Sequence, residues 1–295
     1  MGKVVIWGLK TELHSHKFIQ RAFYQNFKQM GFDVAWVDDT EKNSKCINKN
    51  DIVFAVDVAS KFLPVVRGAY YVLHNISPQD LGLEDKYISL QVHTKKATGE
   101  SLGIPYVHWD RELKTLFQPW GVPTMSKDWK ASRNFDSHKE YWVGSIWNND
   151  LNQGNSEFME GYKSSIENYG IQFVRKGTPT RFQPNGISEF RSMKLVNRSA
   201  IGAAVVGEWQ KVNEYVPCRL FKNIASGAVP SSNANFSALF GTEGGVFMEE
   251  PESLISTVLT LKSSEKSELV NQAQNTILPF TYHAAINRIL TLLLS

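Results

Sequence analysis

Cysteine is scarce: Cys46 and Cys218 are the only two in 295 residues, with no C-x-x-C spacing. That argues against a disulfide framework and a cysteine-rich zinc site, and for a reducing, cytoplasmic setting. No charge dominates either, with 32 basic against 29 acidic residues for a net +3. Nucleic-acid binders use a larger basic excess or a basic stripe, so nucleic acid is not expected as a principal partner. No apolar run nears the roughly 18–20 residues that span a bilayer. The end segments Val4–Trp7 and Ile286–Leu294 are far shorter, the first lacks a signal-peptide pattern, and no transmembrane segment is expected. Familiar catalytic signatures are missing as well. There is no G-x-x-x-x-G-K-[ST], and the first strand runs into Gly8-Leu9-Lys10 rather than G-x-G-x-x-G. Asp38 and Asp39 are adjacent, and D-x-D occurs nowhere.

What is present is alternation. Short apolar runs at Lys3–Trp7, Asp33–Val37, Ile52–Val56, Tyr70–His74, Tyr87–Val92 and Pro105–Trp109 read as strands. Phe18, Ile19, Ala22, Phe23, Phe27 and Met30 follow helical spacing up to Gly31. The breaker-rich stretch from Gln118 to Lys139 reads as a linker. The rhythm then restarts: strands at Tyr141–Gly144, Ile171–Val174, Ala200–Val206, Ala228–Pro230 and Gly245–Met248, and helices over Glu157–Asn168, Ser188–Val196, Arg219–Ser226, Glu252–Leu261, Lys266–Ile277 and His283–Leu293. The expected fold class is α/β, with two Rossmann-like domains over residues 1–138 and 139–295 facing a cleft. The last helix, 283–293, is expected to pack back on the N-terminal domain.

The most informative stretch is Glu214-Tyr215-Val216-Pro217-Cys218-Arg219-Leu220-Phe221-Lys222-Asn223-Ile224-Ala225-Ser226-Gly227-Ala228-Val229-Pro230. Pro217 can open a helix whose apolar face is Leu220, Phe221 and Ile224. Arg219, Lys222 and Asn223 stay polar near its N-terminus, where free N–H groups and the helix dipole favour anions. The alternative is a surface helix with two solvated basic side chains. Tyr141-Trp142-Val143 leads into Gly144 and Ser145, which can approach a phosphate or make an ordinary strand-to-helix turn; Arg175 ends the next strand.

In the first half, His14 and His16 lie between the first strand and first helix. Imidazole suits a general base because its pKa lies near neutrality. Helix capping is the other reading, and with no third ligand evident no metal is expected. Asp57 and His74 end their strands, which places both at the carboxyl edge of a parallel sheet.

These residues carry a resemblance. The Pro217–Pro230 run resembles the donor-binding helix of GT-B glycosyltransferases, a "Pro-x-Arg-Leu-Phe-…-Ala-x-Gly-x-x-Pro" pattern. It is also similar to the nucleotide-sugar helix of fucosyltransferases and exostosins. The order that follows matches too: Asn235–Phe240, Gly245–Glu250, Pro251-Glu252-Ser253-Leu254, and the terminal Phe280-Thr281-Tyr282-His283…Asn287-Arg288. The resemblance covers about Tyr141 to Ser295. It implies a GT-B fold and transfer of a sugar from a nucleotide-sugar donor to a glycan or other hydroxyl acceptor. No metal cofactor is implied, since Arg219 and Lys222 would meet the leaving diphosphate. Gly144, Ser145, Arg175, Glu214 and Asn223 would line the donor with them, His74 would meet the donor sugar, and His14, His16 or Asp57 would serve catalysis. Glu214 corresponds to the first of two glutamates in the retaining class, and Lys222 replaces the second, so stereochemistry stays open. A non-catalytic nucleotide-sugar or sugar-binding module and a GT-B-like epimerase are the alternatives.

Overall fold

The computed structural model describes residues 2–12, 14, 16–83, 86–122, 128–129, 138–176 and 187–295. The chain divides into two compact units: Met1–Pro123 with Tyr282–Ser295, and Thr124–Thr281.

The first unit is built on an eight-stranded, mostly parallel sheet. Its strands are β1 (Val4–Trp7), β2 (Val34–Val37), β3 (Ile52–Val56), β4 (Tyr70–His74), β5 (Tyr87–Gln91), β6 (Glu100–Ile104), β7 (Val107–Asp110) and β8 (Thr115–Phe117), in the order β2-β1-β3-β4-β5-β8-β7-β6. All pairs from β2 to β8 are parallel, and β7 and β6 run antiparallel. β1 and β3 are apolar at every position and buried throughout, as strands covered on both faces must be. On one face Phe23 and Phe27 of α1 (His16–Gln29) lie on Phe54, and Phe23 also meets Tyr282 of the C-terminal helix, Tyr282–Leu294. The opposite face is a cluster of Trp7, Val53, Tyr71 and Leu73, closed by loop residues Ile47, Leu63 and Ala69. The chain ends α1 at Gly31, whose φ of +85° favours glycine.

One expectation shifts here and one fails. The strand expected over Pro105–Trp109 is β7, which runs antiparallel because Tyr106, at φ +60°, turns the chain back from β6. Gln118 does not begin a linker. Gln118, Trp120 and Val122 are buried in this unit, and Val122 accepts a backbone hydrogen bond from Tyr282. Residues 123–127 and 130–137 of the expected linker lie outside the described residues.

The second unit holds β9 (Lys139–Val143), α2 (Ser156–Asn168), β10 (Gln172–Lys176), α3 (Glu189–Asn197), α4 (Glu208–Val212), α5 (Cys218–Ala225), β11 (Ser231–Ser232), α6 (Ser237–Phe240), β12 (Val246–Phe247), α7 (Pro251–Thr260) and α8 (Ser263–Thr276). β9 pairs with β10 and β11 with β12, both parallel. The apolar run 200–206 is buried but forms no ladder strand. It is tied to the two pairs by Ala200 N–H to Lys139 O (2.9 Å) and Ala204 N–H to Ser231 O (2.8 Å). Side chains satisfy most of its other polar groups. The Glu140 carboxylate accepts from the Ile201 and Gly202 amides, the Asn223 amide donates to the Gly202 and Ala203 carbonyls, and Asn233 exchanges two bonds with Val206.

Candidate functional site

In the first unit the carboxyl ends of β3, β4 and β5 and the start of α1 bring four of the chain's seven histidines to one edge. Strand alternation puts Val72 and His74 on the face that α1 covers, with Tyr71 and Leu73 on the other. The His16 ring lies 5.0 Å from that of His14 and 5.6 Å from that of His74. His14 Nδ1 accepts from the His16 amide at 3.2 Å and stands 3.3 Å from His16 Nδ1. Asp57 opens the turn after β3, exposed, with Oδ1 accepting from the Val58 amide. Burial pulls the His16 pKa below its ordinary value, His14 lowers it further, and Asp57 pulls the other way.

His74 is the unusual member. Only 5% exposed, it packs edge-on against Trp120 at 4.8 Å, and among the described residues neither ring nitrogen has a hydrogen-bond partner. Burial, then the neighbouring His16 and His93, depress its pKa to about 3. Beneath it is a small cavity of about 30 Å³, lined by His16, Gln20, Phe23, Phe54, Val72, His74 and Trp120 among others. Gln20, one helical turn beyond His16, donates its amide N–H to the Trp7 carbonyl at 2.8 Å, which leaves its buried Oε1 without a partner among the described residues. The sequence reading missed Gln20, His93 and Trp120. Spacing offered a signal for Gln20 alone, at i+4 from His16 on the helix face that meets the sheet.

An acid sensitivity follows. A histidine held neutral in the fold and free to charge at about 6.5 when unfolded contributes stability that is complete above about 6.5. That contribution falls away, by about 1.4 kcal/mol per pH unit, as the pH drops toward 3. His74→Leu removes this slope. It also removes two unpaired buried nitrogens, and it is expected to raise neutral-pH stability by about 1–3 kcal/mol. Urea midpoints of both proteins from pH 7.5 to 4.5 measure it; parallel profiles would contradict it.

In the second unit the expected donor residues divide. Arg219, in the first turn of α5, stacks its guanidinium 3.7 Å above the buried Trp142 ring of β9. Gly144, at φ +137°, follows β9, and a Cβ there would overlap that guanidinium. Glycine is therefore required for Arg219 to lie where it does. Burial lowers the Arg219 pKa to about 10, so it stays charged at neutral pH, and among the described residues it has no carboxylate partner. Pro217 caps α5 from just outside rather than opening its first turn. Ser145 is exposed beside Gly144, and Arg175, also exposed, registers opposite Trp142 on β10.

The remaining three are differently engaged. Lys222 sits between both oxygens of Glu189 on α3, at 3.1 and 3.0 Å. Burial, the largest single influence, pulls its pKa down, and Glu189 and Cys218 together outweigh it, for a net rise. Asn223 is buried against the Gly202 and Ala203 carbonyls. Glu214 is exposed at φ +50° in the turn before Tyr215.

Among the described residues no three His, Cys, Asp or Glu side chains are grouped to hold a metal ion, and no helix is long and apolar enough to cross a membrane. No protein-family model and no curated protein sequence matches the chain.

Proposed function

We propose that the chain is a GT-B-type glycosyltransferase that moves a sugar from a nucleotide-sugar to a hydroxyl acceptor without a metal. The second unit takes the donor and the first the acceptor. In the reaction the acceptor oxygen bonds to the anomeric carbon, the bond from that carbon to the diphosphate breaks, and its electron pair leaves with the diphosphate. His16 takes the hydroxyl proton if the reaction inverts. A non-catalytic nucleotide-sugar module has no observation in its favour over this reading.

The observation that carries the reading is Arg219 at the head of α5, seated on Trp142 against Gly144, a charged fork without a carboxylate partner among the described residues. It supports diphosphate binding because the α5 N-terminus adds its own partial positive charge. Guanidinium contacts to a leaving group strengthen as charge develops there. Lys222 is already matched by Glu189, so Arg219 is the principal cation.

Arg219→Ala is therefore expected to weaken nucleoside-diphosphate binding about 10- to 150-fold. Arg219→Lys should restore only part of it, since the planar fork is lost. Calorimetry with uridine, guanosine and adenosine diphosphates decides it. Unchanged affinity in a folded Arg219→Ala variant would place the donor elsewhere.

A further inference from the structure

The two histidines ahead of α1 meet in a way that fixes which of their nitrogens carry protons. Their rings lie within 17° of parallel with centroids 5.0 Å apart, yet the two Nδ1 atoms are 3.3 Å apart. Nitrogens closer together than the ring centres face each other, so one carries the hydrogen and the other receives it. The His16 backbone amide decides which. Its N–H is fixed, and it points at His14 Nδ1 from 3.2 Å. His14 Nδ1 is therefore bare, and the proton of its neutral ring is on Nε2. His16 must be the second donor, since a bare Nδ1 there would set two lone pairs against each other. One lone pair shared by two N–H groups is a common three-centre bond. The neutral His16 ring is thus the Nδ1–H form, with Nε2 bare.

No other group competes for these atoms. Among the described residues His14 is the only hydrogen-bond partner of the His16 ring; both His74 nitrogens are unpartnered, and Asp57 Oδ1 is bonded to the Val58 amide. His16 Nε2 has no partner there and, unlike the His74 nitrogens, is not sealed from solvent. The His14 carbonyl also accepts the Lys17 amide at 3.1 Å, so its backbone and ring both hold the first turn of α1. We propose that His14 is a positioning residue: its bare Nδ1 holds His16 as the Nδ1–H form and aims Nε2 outward as the atom that takes the acceptor's proton. The proton moves to Nε2 as the hydroxyl oxygen bonds to the anomeric carbon and the diphosphate leaves with the electron pair. The product ring is an imidazolium whose Nδ1–H still rests on His14. The role of Nε2 rests on the transferase reading and on inversion; the tautomer pair does not.

The test uses the full chain with histidine ring nitrogens labelled for NMR, at about pH 8, above the ordinary histidine range. Protonated and bare ring nitrogens resonate far apart. His16 is expected to show a protonated Nδ1 and a bare Nε2, and His14 the reverse. In His14→Ala the His16 signals should move toward a mixture of both forms. Turnover at saturating donor should then fall about 10- to 100-fold, the usual cost of removing the group that orients an imidazole. Asn carries its amide oxygen as many bonds from the backbone as Nδ1 and accepts readily from the amide two residues on. His14→Asn should therefore keep the His16 tautomer and most of the turnover. A His16 ring protonated on Nε2 in the parent overturns the proposal, and that spectrum decides even if a variant fails to fold. Undiminished turnover in a folded His14→Ala, or an equal loss in His14→Asn, overturns it too. Diphosphate calorimetry on the same sample separates the two readings. Diphosphate binding with Nε2–H on His16 removes the role of His14 and leaves the transferase. The Nδ1–H form without diphosphate binding removes the transferase and leaves only the bonded pair.

Discussion

Replacing Glu140 by alanine is expected to cost the second unit about 3–5 kcal/mol of stability. Glu140, on β9, is 1% exposed, and its carboxylate receives the Ile201 amide at 2.9 Å, the Gly202 amide at 3.0 Å and the Tyr162 hydroxyl at 3.1 Å. Removing it takes an acceptor away from three donors at once. Each costs about 1–3 kcal/mol when left unpaired, and partial relaxation keeps the total below the sum. Whole-domain stabilities are about 5–15 kcal/mol, so the change is a large fraction of what is available. The run 200–206 depends on this carboxylate more than a ladder strand would, because it forms no ladder with either neighbouring strand pair. Glu140→Gln keeps one accepting oxygen and turns an N–H toward donors, so about half the loss is expected. Urea unfolding read by tryptophan fluorescence measures both. A midpoint for Glu140→Ala within about 0.5 kcal/mol of the parent would mean that water or another group takes over these bonds. The loss should reach Trp142 and Gly144 too, since Trp142 lies on the same strand as Glu140 and Gly144 follows it.

The same residues show where the sequence was legible. β1, β3 and β4 stood out because a strand buried on both faces is apolar at nearly every position. α5 stood out because Leu220, Phe221 and Ile224 alternate with polar positions at helical spacing. β6 did not, because an exposed edge strand of Glu, Ser, Leu, Gly and Ile has no buried face to impose a period. The run 200–206 looked like a strand for a sound reason, burial, yet its hydrogen-bond partners are side chains far away in sequence, which no local pattern reveals. Trp120 was hidden by its neighbours: Pro119 and Gly121 read as breakers, while its ring packs against His74 and Phe23. Of the site, strand ends and the loop after β1 pointed to His14, His16, Asp57 and His74, and the Pro217–Pro230 run to Arg219. The partner that engages Lys222 is on another helix, and nothing in the residues around Lys222 pointed to Glu189.

His16→Ala is expected to lower turnover by about 10²- to 10⁴-fold, the range for loss of a general base, and to leave nucleoside-diphosphate affinity within about twofold. The split arises because the proposed diphosphate contacts lie on α5 and the imidazole at the start of α1. Two neighbours then tune the acid limb of the rate profile in opposite senses. His16 must be neutral to accept a proton, so activity falls as the pH drops through its pKa. Burial and His14 hold that pKa down, and Asp57 pulls it up. Removing the negative charge with Asp57→Asn should move the limb to lower pH, and His14→Ala should move it to higher pH. Simple disruption of the loop would shift both variants the same way or lower the plateau without moving the limb. The measurement is kcat against pH for the three variants at saturating donor. More than a tenth of parental turnover in His16→Ala, or limbs that move together, would take His16 out of the mechanism.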